Sequence, residues 1–515
     1  MINKVLSNTL AAARTGSFLA KDPIREQRAI FRKLITKAVA TQFGKDHGFA
    51  GYADLPFEKA YAEYRKKVPI RTYRQFWDEY FGRCLRLENG NRSLLLDNVT
   101  WPGRIPLFCE TSGTTAPTKY IPFSDEMFAA NKRAALDLTA CYMAGNRAGR
   151  LLSGKLLYMA GNTELSDLGS GVQSGDMSAI TLCNRPFFLK PFIEPSPEIS
   201  ALPWEEKLDA LARLLLSGRN IRGISGVPPW ILLLLKRCAE YGGKPLTELL
   251  PNLELIIHGG TSMKPYRNEF DELFSTRPPH FLELLPSSEA FMAFQVFGEE
   301  YMRFTPYYGV FFEFVPIEAL DDRGTPPPDA EAVPLEEIEL GKRYAVILST
   351  CAGLWRYHIG DTIRFICKSP LHIQFTGRDR FLDRFEEKVT QGEVEEAVAA
   401  LNRLDGIKVT EFMVGPDIEE RRHIWVLAMQ NPHHTDPSEL AQRLDNTLKT
   451  SNADYATFRF QDRIHRPHVI PVGEDTIYQW SKDVRGKLGG QSKIPHIDPT
   501  LEGEMVRSLV SYIRP

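Results

Sequence analysis

What this 515-residue sequence lacks already narrows what it can be. It has no long hydrophobic run: the longest apolar stretch, residues 230–235, falls far short of the ~20 residues that span a bilayer. It has no excess of either charge. A net charge of -2 gives no general pull toward nucleic acid or anionic lipid, so any polyanion has to be recognised locally. Cysteine is scarce. The seven present (Cys84, Cys109, Cys141, Cys183, Cys238, Cys351 and Cys367) are scattered, odd in number and free of any C-x-x-C, which fits a reducing cytosol rather than a disulfide framework or a zinc site. Near the N-terminus, Ser7 and Asn8 interrupt what would be a signal peptide's apolar region and Arg14 follows, so an amphipathic first helix is predicted instead. Internal repeats and low-complexity segments are missing as well. These absences predict a cytoplasmic monomer with neither nucleic-acid nor membrane partners.

What is there is an ordinary globular composition, 43% hydrophobic and 25% charged, in a chain long enough for two or more domains of ~100–200 residues. The first hundred residues read as helical, with Phe31, Ile35 and Val39 at four-residue steps. Short strands are predicted at 106–110 and 119–123, after which Ser124 and Asp125 can cap a long helix over 126–143. Apolar runs at 253–257, 281–285 and 309–315 alternate with helical segments such as 204–216, predicting an α/β domain with more than one sheet. Residues 321–334 read as a surface loop, and 344–349 with 362–366 as a hairpin-like pair of strands. A domain boundary falls between 377 and 388. Beyond it a shorter region carries a predicted helix near 393–404, a strand at 424–429 and a helix near 439–450.

The segment Glu110-Thr111-Ser112-Gly113-Thr114-Thr115-Ala116-Pro117-Thr118-Lys119 is the most informative. A phosphate chain needs many short donors and a cation, which hydroxyls, exposed backbone N–H groups and a lysine supply. Gly113 can take the positive φ that curls a backbone round an anion. A polar surface loop has the same composition, so the segment alone leaves both readings open. It is no Walker loop, because G-x-x-x-x-G-K-[ST] is absent and a strand rather than a helix follows. Gly169, Gly171 and Gly175 miss the dinucleotide spacing by one residue.

The run over 111–122, TSGTTAPTKYIP, resembles the phosphate loop of the auxin-responsive acyl-acid amido synthetases, with Ala116 where that family usually has glycine. These enzymes belong to the adenylate-forming superfamily, in which firefly luciferase and acyl-CoA synthetases are distant relatives. Similar correspondences run along most of the chain: Pro69-Ile70-Arg71-Thr72-Tyr73, Ser225-Gly226-Val227-Pro228, and His258-Gly259-Gly260-Thr261 with Pro265-Tyr266. The resemblance implies an α/β adenylate-forming fold, with a large N-terminal domain of several sheets and a β-barrel over 1–378. A small mobile α+β domain over 379–515 would complete it.

Site residues follow from the same likeness. Thr111, Ser112, Gly113, Thr114, Thr115 and Lys119 would hold the ATP phosphates, and Gly260 and Thr261 would face adenine; by pattern alone the glycine pair is a tight turn after a strand. Pro286-Ser287-Ser288-Glu289 is similar to the family's Tyr-Ala-Ser-Ser-Glu. A carboxylate beside a triphosphate makes sense as a Mg²⁺ ligand, which assigns Glu289 to the metal and to catalysis, and Ser288 to a phosphate or adenine contact. A capped helix start would look the same. Leu285 stands where the family stacks an aromatic ring on adenine. Trp355-Arg356-Tyr357-His358-Ile359-Gly360-Asp361 resembles Tyr-Arg-x-Gly-Asp, whose aspartate accepts from both ribose hydroxyls; that role would fall to Asp361, although Gly360-Asp361 alone would be an ordinary turn.

Arg378, in the hinge-like Thr376-Gly377-Arg378, would meet ribose or phosphate, and Lys388 the α-phosphate or the acyl carboxylate; simple surface charge is the alternative for both. Lys493, in Lys487-Leu488-Gly489-Gly490-Gln491-Ser492-Lys493, matches a lysine on a flexible loop whose charge would stabilise the phosphorus as carboxylate attacks and pyrophosphate leaves. Histidines 423, 433, 434, 465 and 468 read as surface, with His465 and His468 able to share a helical face. The implied reaction uses ATP and Mg²⁺ to turn a carboxylic acid into an acyl-adenylate, then joins it to an amino acid. With no carrier domain in the sequence, the acceptor is expected to be a free small molecule. The rivals are an acyl-CoA ligase and a non-catalytic adenylate-binding regulatory protein; a mere binder would not need Lys493 beside Glu289 and Asp361.

Overall fold

The computed structural model describes residues 2–88, 91–111, 118–161, 164–184, 191–274, 276–321, 324–378, 381–385, 387, 389–486, 494–500 and 502–513. Its largest sheet has twelve strands in linear order, from Val333–Pro334 at one edge to Ile193–Glu194 at the other. Five of them run parallel side by side: Ile193–Glu194, Lys155–Tyr158, Ile221–Gly226, Leu255–Gly259 and His280–Pro286. Parallel strands are covered on both faces, and so Leu255, Ile256 and Ile257 form an unbroken buried run. Helices Trp204–Leu216 and Pro228–Gly242 supply cover through Leu208, Leu211, Leu215, Ile231 and Leu235. The second helix opens on two prolines, whose fixed φ suits a first turn, and ends at Gly243 in the left-handed region.

The remaining strands of the large sheet pair antiparallel and enclose the main hydrophobic core with the N-terminal helices. Helix Pro23–Ala38 is capped by Asp22 and buries Phe31, Leu34, Ile35 and Ala38. Gln27, buried with them, loses nothing: its amide donates to the Pro306 and Val310 carbonyls and accepts from the Phe312 N–H. The predicted cap of the long helix is present. Ser124 accepts from the Met127 N–H of helix Asp125–Gly145 and donates to the Cys351 carbonyl at 2.6 Å, tying the helix start to the sheet.

Three sequence expectations change. Gly360-Asp361 is no turn; both lie inside strand Tyr357–Lys368, which runs on because Ile363 and Phe365 need the core, and Gly360 takes φ +86° where the pairing with Arg343–Thr350 skips register. Ser288-Glu289 does not start a helix. It lies in the connection between antiparallel strands His280–Pro286 and Phe291–Gln295, closed by the Ser287 N–H and hydroxyl donating to the Ala290 carbonyl and the Ala290 N–H donating to the Ser287 hydroxyl. His423 is wholly buried rather than at the surface, bonded to Glu387 at 2.7 Å, and His465 and His468 do not share a helix.

Beyond the large sheet, a three-stranded sheet (Val409–Asp417, Arg422–Met429, His468–Val472) packs with helices Gln391–Asn402, Pro437–Ser451, Thr476–Asp483 and Glu504–Ile513. The two hydrophobic clusters beneath them draw their buried members only from residues 382–509. This part of the chain therefore carries its own core. Among the described residues no helix is long and apolar enough to cross a membrane.

Candidate active site

Parallel strands end where backbone N–H groups and loops are free to meet a ligand, and the carboxyl ends of the five strands lie together. Gly259 closes one of them. A Cβ there would overlap the Leu284 carbonyl oxygen, and Gly260 follows with φ +86°, so the pair lets the chain turn tightly against its neighbour. Because Gly259 is in register with Leu284, Gly260 and Thr261 come beside the end of strand His280–Pro286 and the Ser288-Glu289 connection after it. The Leu285 side chain is buried in the main core, committed to packing with its neighbours.

Strands Leu107–Thr111 and Lys119–Phe123 form an antiparallel hairpin in which Thr111 faces Lys119. The hydroxyl-rich segment is therefore the connection of a hairpin; Ser112, Gly113, Thr114 and Thr115 themselves lie outside the described residues. Glu289 is buried, and its charge reaches Cys109 of the first strand. Burial pushes the Cys109 thiol well above its usual range, and the charges of Glu289 and Asp176 add to the shift. A protonated thiol leaves oxygen as the donor chemistry here.

Asp176 did not stand out in the sequence; in the structure it caps helix Met177–Cys183. It is half-buried and accepts from the Ser178 N–H and hydroxyl, both at 2.9 Å. Burial raises its pKa against those two bonds. Lys207, lowered by burial although Asp176 opposes the shift, donates to the Gly161 carbonyl at 3.0 Å.

The early family-like segment ties the hairpin to the Asp361 strand. Tyr73 accepts the Tyr120 N–H at 2.7 Å, and the Lys119 ammonium sits 5.7 Å from the Tyr73 ring centre. Two residues earlier, the Arg71 N–H donates to the Arg356 carbonyl at 3.0 Å and its carbonyl accepts from the His358 N–H at 2.9 Å. Asp361, buried, follows on the same strand and is in register with Arg378. Arg71 is held in turn by Glu79 at 2.9 Å and His47 at 3.2 Å; burial, together with Arg71, keeps the His47 ring below its usual pKa. A cavity of about 430 Å³ opens beside this junction, lined by Arg71, Thr72, Gln75, Asp321, Pro327 and His358.

One helix joins the Asp361 side to the glycine pair. Gln391–Asn402 starts against Thr376 and Gly377 and ends where the Asn402 amide donates to the Pro265 carbonyl at 2.7 Å, with Lys264 and Glu396 paired at 2.8 Å between. Twelve residues span about 18 Å, so both candidate regions lie within one helix length. Arg378 ends strand Leu371–Arg378, while Lys388 and Lys493 lie outside the described residues.

The same helix faces Glu283, whose carboxyl is pushed up to about 7, mainly by burial and then by the charge of Glu395. The folded protein thus holds this proton more tightly than the unfolded chain does, and folding weakens as pH rises from ~4.5 through about 7. Glu283→Gln is expected to raise stability by roughly 1–3 kcal/mol at pH 8 and to change it little at pH 4, read from urea midpoints at the two values.

Among the described residues no group of three or more His, Cys, Asp or Glu could hold a metal ion alone. Mg²⁺ takes one or two carboxylates and completes its shell with water and phosphate oxygens. Glu289 beside Thr111's strand fits that donor set.

Three family models match in chain order: the GH3 family N-terminal domain over residues 17–240, the GH3 family central domain over 304–378, and the GH3 family C-terminal domain over 392–500. An Arabidopsis thaliana protein, indole-3-acetic acid-amido synthetase GH3.4, is 27% identical over 200 residues, 36% of this chain. The matched stretch spans 33% of that relative's length. Among solved structures, the AtGH3.15 acyl acid amido synthetase in complex with 2,4-DB superposes with a TM-score of 0.77 over 98% of this chain and 96% of its own, at 16% identity. 2-Hydroxyisobutyryl-CoA ligase in complex with 2-HIB-AMP reaches 0.57 over 94% and 91%, at 13% identity. Both share the mixed α/β adenylate-forming fold.

Proposed function

This chain belongs to the GH3 family, and we propose that it activates a carboxylic acid with ATP as an acyl-adenylate and joins the acyl group to an amino acid. One observation carries the reading: residues 71–73 bond both the hairpin that bears Thr111 and Lys119 and the strand that bears Asp361, so one junction serves both halves of a nucleotide.

A carboxylate resists amines because it is anionic and oxide is a poor leaving group. Attack of its oxygen on the α-phosphorus of ATP expels pyrophosphate and replaces oxide with AMP. Two anions must meet in that step, so the barrier is electrostatic. In this reading Thr111, Ser112, Gly113, Thr114, Thr115 and Lys119 cradle the phosphates, Asp361 and Arg378 hold the ribose end, and Gly260, Thr261 and Ser288 line the base side. Lys388 and Lys493 bring positive charge to the α-phosphate. Glu289 would hold Mg²⁺, which when bound neutralises phosphate charge. The second step, amine attack on the acyl carbon with loss of AMP, needs a drier cleft. Residues 379–515 are proposed to reorient between steps as a unit; the separate core beyond residue 381 supports this. Seven free cysteines suit action in the cytoplasm; a monomer is proposed as the acting form.

Hydroxylamine trapping tests the reading. With ATP and a panel of straight-chain, benzoic and indole-acetic acids, at least one hydroxamate is expected, formed with release of pyrophosphate. Replacing hydroxylamine with free amino acids should then yield an amide, whereas CoA should yield no thioester. Thioester without amide would turn the assignment to an acyl-CoA ligase, and no hydroxamate from any acid would end it.

A further inference from the structure

His496 has no place in the scheme above, yet it is among the most constrained ionisable groups in the molecule. Its ring is fully buried between two carboxylates, with Nδ1 2.9 Å from Glu395 and Nε2 3.3 Å from Glu411, and it lies face to face with Phe412, ring centres 4.1 Å apart. Its backbone is pinned too. The Val414 N–H donates to the His496 carbonyl at 2.8 Å, and the Asp498 N–H to the Val414 carbonyl at 2.7 Å, extending the Val409–Asp417 strand edge.

The groups around it come from both parts of the chain. Glu395 also accepts from the Gln391 amide at 2.8 Å, and its charge raises Glu283 of the large sheet. Glu411 also accepts from the Tyr478 hydroxyl at 3.1 Å and from the Phe412 N–H at 3.0 Å. Tyr266, whose buried hydroxyl has no hydrogen-bond partner among the described residues, feels both carboxylates, and beyond it Glu269 is paired with Lys236 and Lys408. Burial alone would strip the proton from His496. Its bonds to Glu395 and Glu411 more than reverse this and lift its pKa to about 9. At neutral pH the cluster is therefore an imidazolium between two anions, and losing the cation would leave two buried carboxylates facing each other.

The position of this cluster in the chain gives it a role. His496 and Ile494 share a small cavity with Thr261, Tyr266 and Trp230, all from the large part of the chain. Ile494 directly follows Lys493 in the sequence. We propose that His496 is a positioning residue for adenylation: clamped by Glu395 and Glu411, it fixes the chain that leaves the lysine segment against Thr261 and so sets where Lys493 acts. This rests on the reading of Lys493 given under the proposed function.

The test separates the half-reactions. Adenylation is read as ATP–pyrophosphate exchange with the acid of highest hydroxamate yield, and transfer as amide formation from its synthetic acyl-adenylate. Glutamine keeps one hydrogen bond but not the charge. His496→Gln is expected to lower exchange turnover at least tenfold with KM for ATP within threefold, while transfer stays within twofold. Restoring charge balance in the double variant with Glu411→Gln should recover part of the lost exchange. A merely structural histidine predicts equal losses in both half-reactions, and that result overturns the inference. So does unchanged exchange in His496→Gln when Lys493→Ala abolishes it, an outcome that leaves the Lys493 reading standing. Unchanged exchange in Lys493→Ala instead removes that reading and this inference together. If His496→Gln does not fold, Glu411→Gln alone carries the test: a one-sided loss of at least threefold in exchange supports the clamp, and an even loss in both steps overturns it.

Discussion

Replacing Glu289 with glutamine is expected to lower acid-dependent ATP–pyrophosphate exchange by roughly 10²–10³-fold, about 3–4 kcal/mol of barrier, without unfolding the protein. The argument starts from burial. Glu289 is 8% exposed, and its charge is felt by Cys109, which also feels Asp176. Glutamine keeps the size and one acceptor oxygen of glutamate, so the denaturant midpoint serves as the readout that separates a loss of exchange from a loss of folding. Function is where the charge matters, because nothing else proposed for the phosphate side can recruit a divalent cation as a glutamate oxygen does. Asp176→Asn is the matched control. Asp176 already accepts two bonds from Ser178, so its loss should show mainly in stability and only slightly in exchange. Exchange within threefold of wild type in Glu289→Gln would detach Glu289 from the metal.

The largest effect on stability is expected at Arg356. Arg356→Met should cost about 3–5 kcal/mol, read from urea midpoints, because it strands Glu313 as an uncompensated buried charge. Arg356 and Glu313 are 1% and 0% exposed, and their side chains meet at 3.1 Å. Burial opposes the guanidinium charge, but Glu313 more than restores it and leaves the pKa raised. The arginine also donates to the Val68 carbonyl at 2.9 Å and the Arg65 carbonyl at 3.3 Å, while Tyr61 donates to the other Glu313 oxygen at 2.9 Å. Its φ of +43° is unusual for a residue with a side chain and persists because these bonds fix both ends. Adding Glu313→Gln to Arg356→Met should return much of the loss, since no unpaired charge then remains. The coupling from the full double-mutant cycle should amount to at least 1 kcal/mol. Independent, additive losses would mean that the pair does not act as one unit.

Local signals made some elements legible. Helix Trp204–Leu216 matches its predicted span to the residue, because its apolar positions repeat at helical spacing between Pro203 and Ser217. Ser124 announced the helix it caps, since a cap acts within three residues of itself. The Ser287-Ser288-Glu289 segment left a helix start open as an alternative for the same reason. Serine followed by glutamate is good helix-start chemistry, yet the strands on either side pair with each other, and that pairing outweighs the local preference. His423 and His496 carried no signal at all. Their partners Glu387, Glu395 and Glu411 lie 36 to 101 residues away, and nothing about an isolated histidine says whether it is buried.

By itself, then, the sequence determined the kinds of group available and their local order: a hydroxyl-rich segment between two strand-forming runs, a glycine pair after an apolar run, and an aspartate after Trp355-Arg356-Tyr357. Residue type and nearest neighbours decide such things, and both are written in the chain. Only the tertiary structure decided that residues 71–73 bond the hairpin and the Asp361 strand at once, or that the Cys109 thiol feels the charge of Glu289. It alone made His496 a buried cation. Those outcomes depend on which surfaces exclude water from one another, and burial is a property of the whole packed chain rather than of any segment.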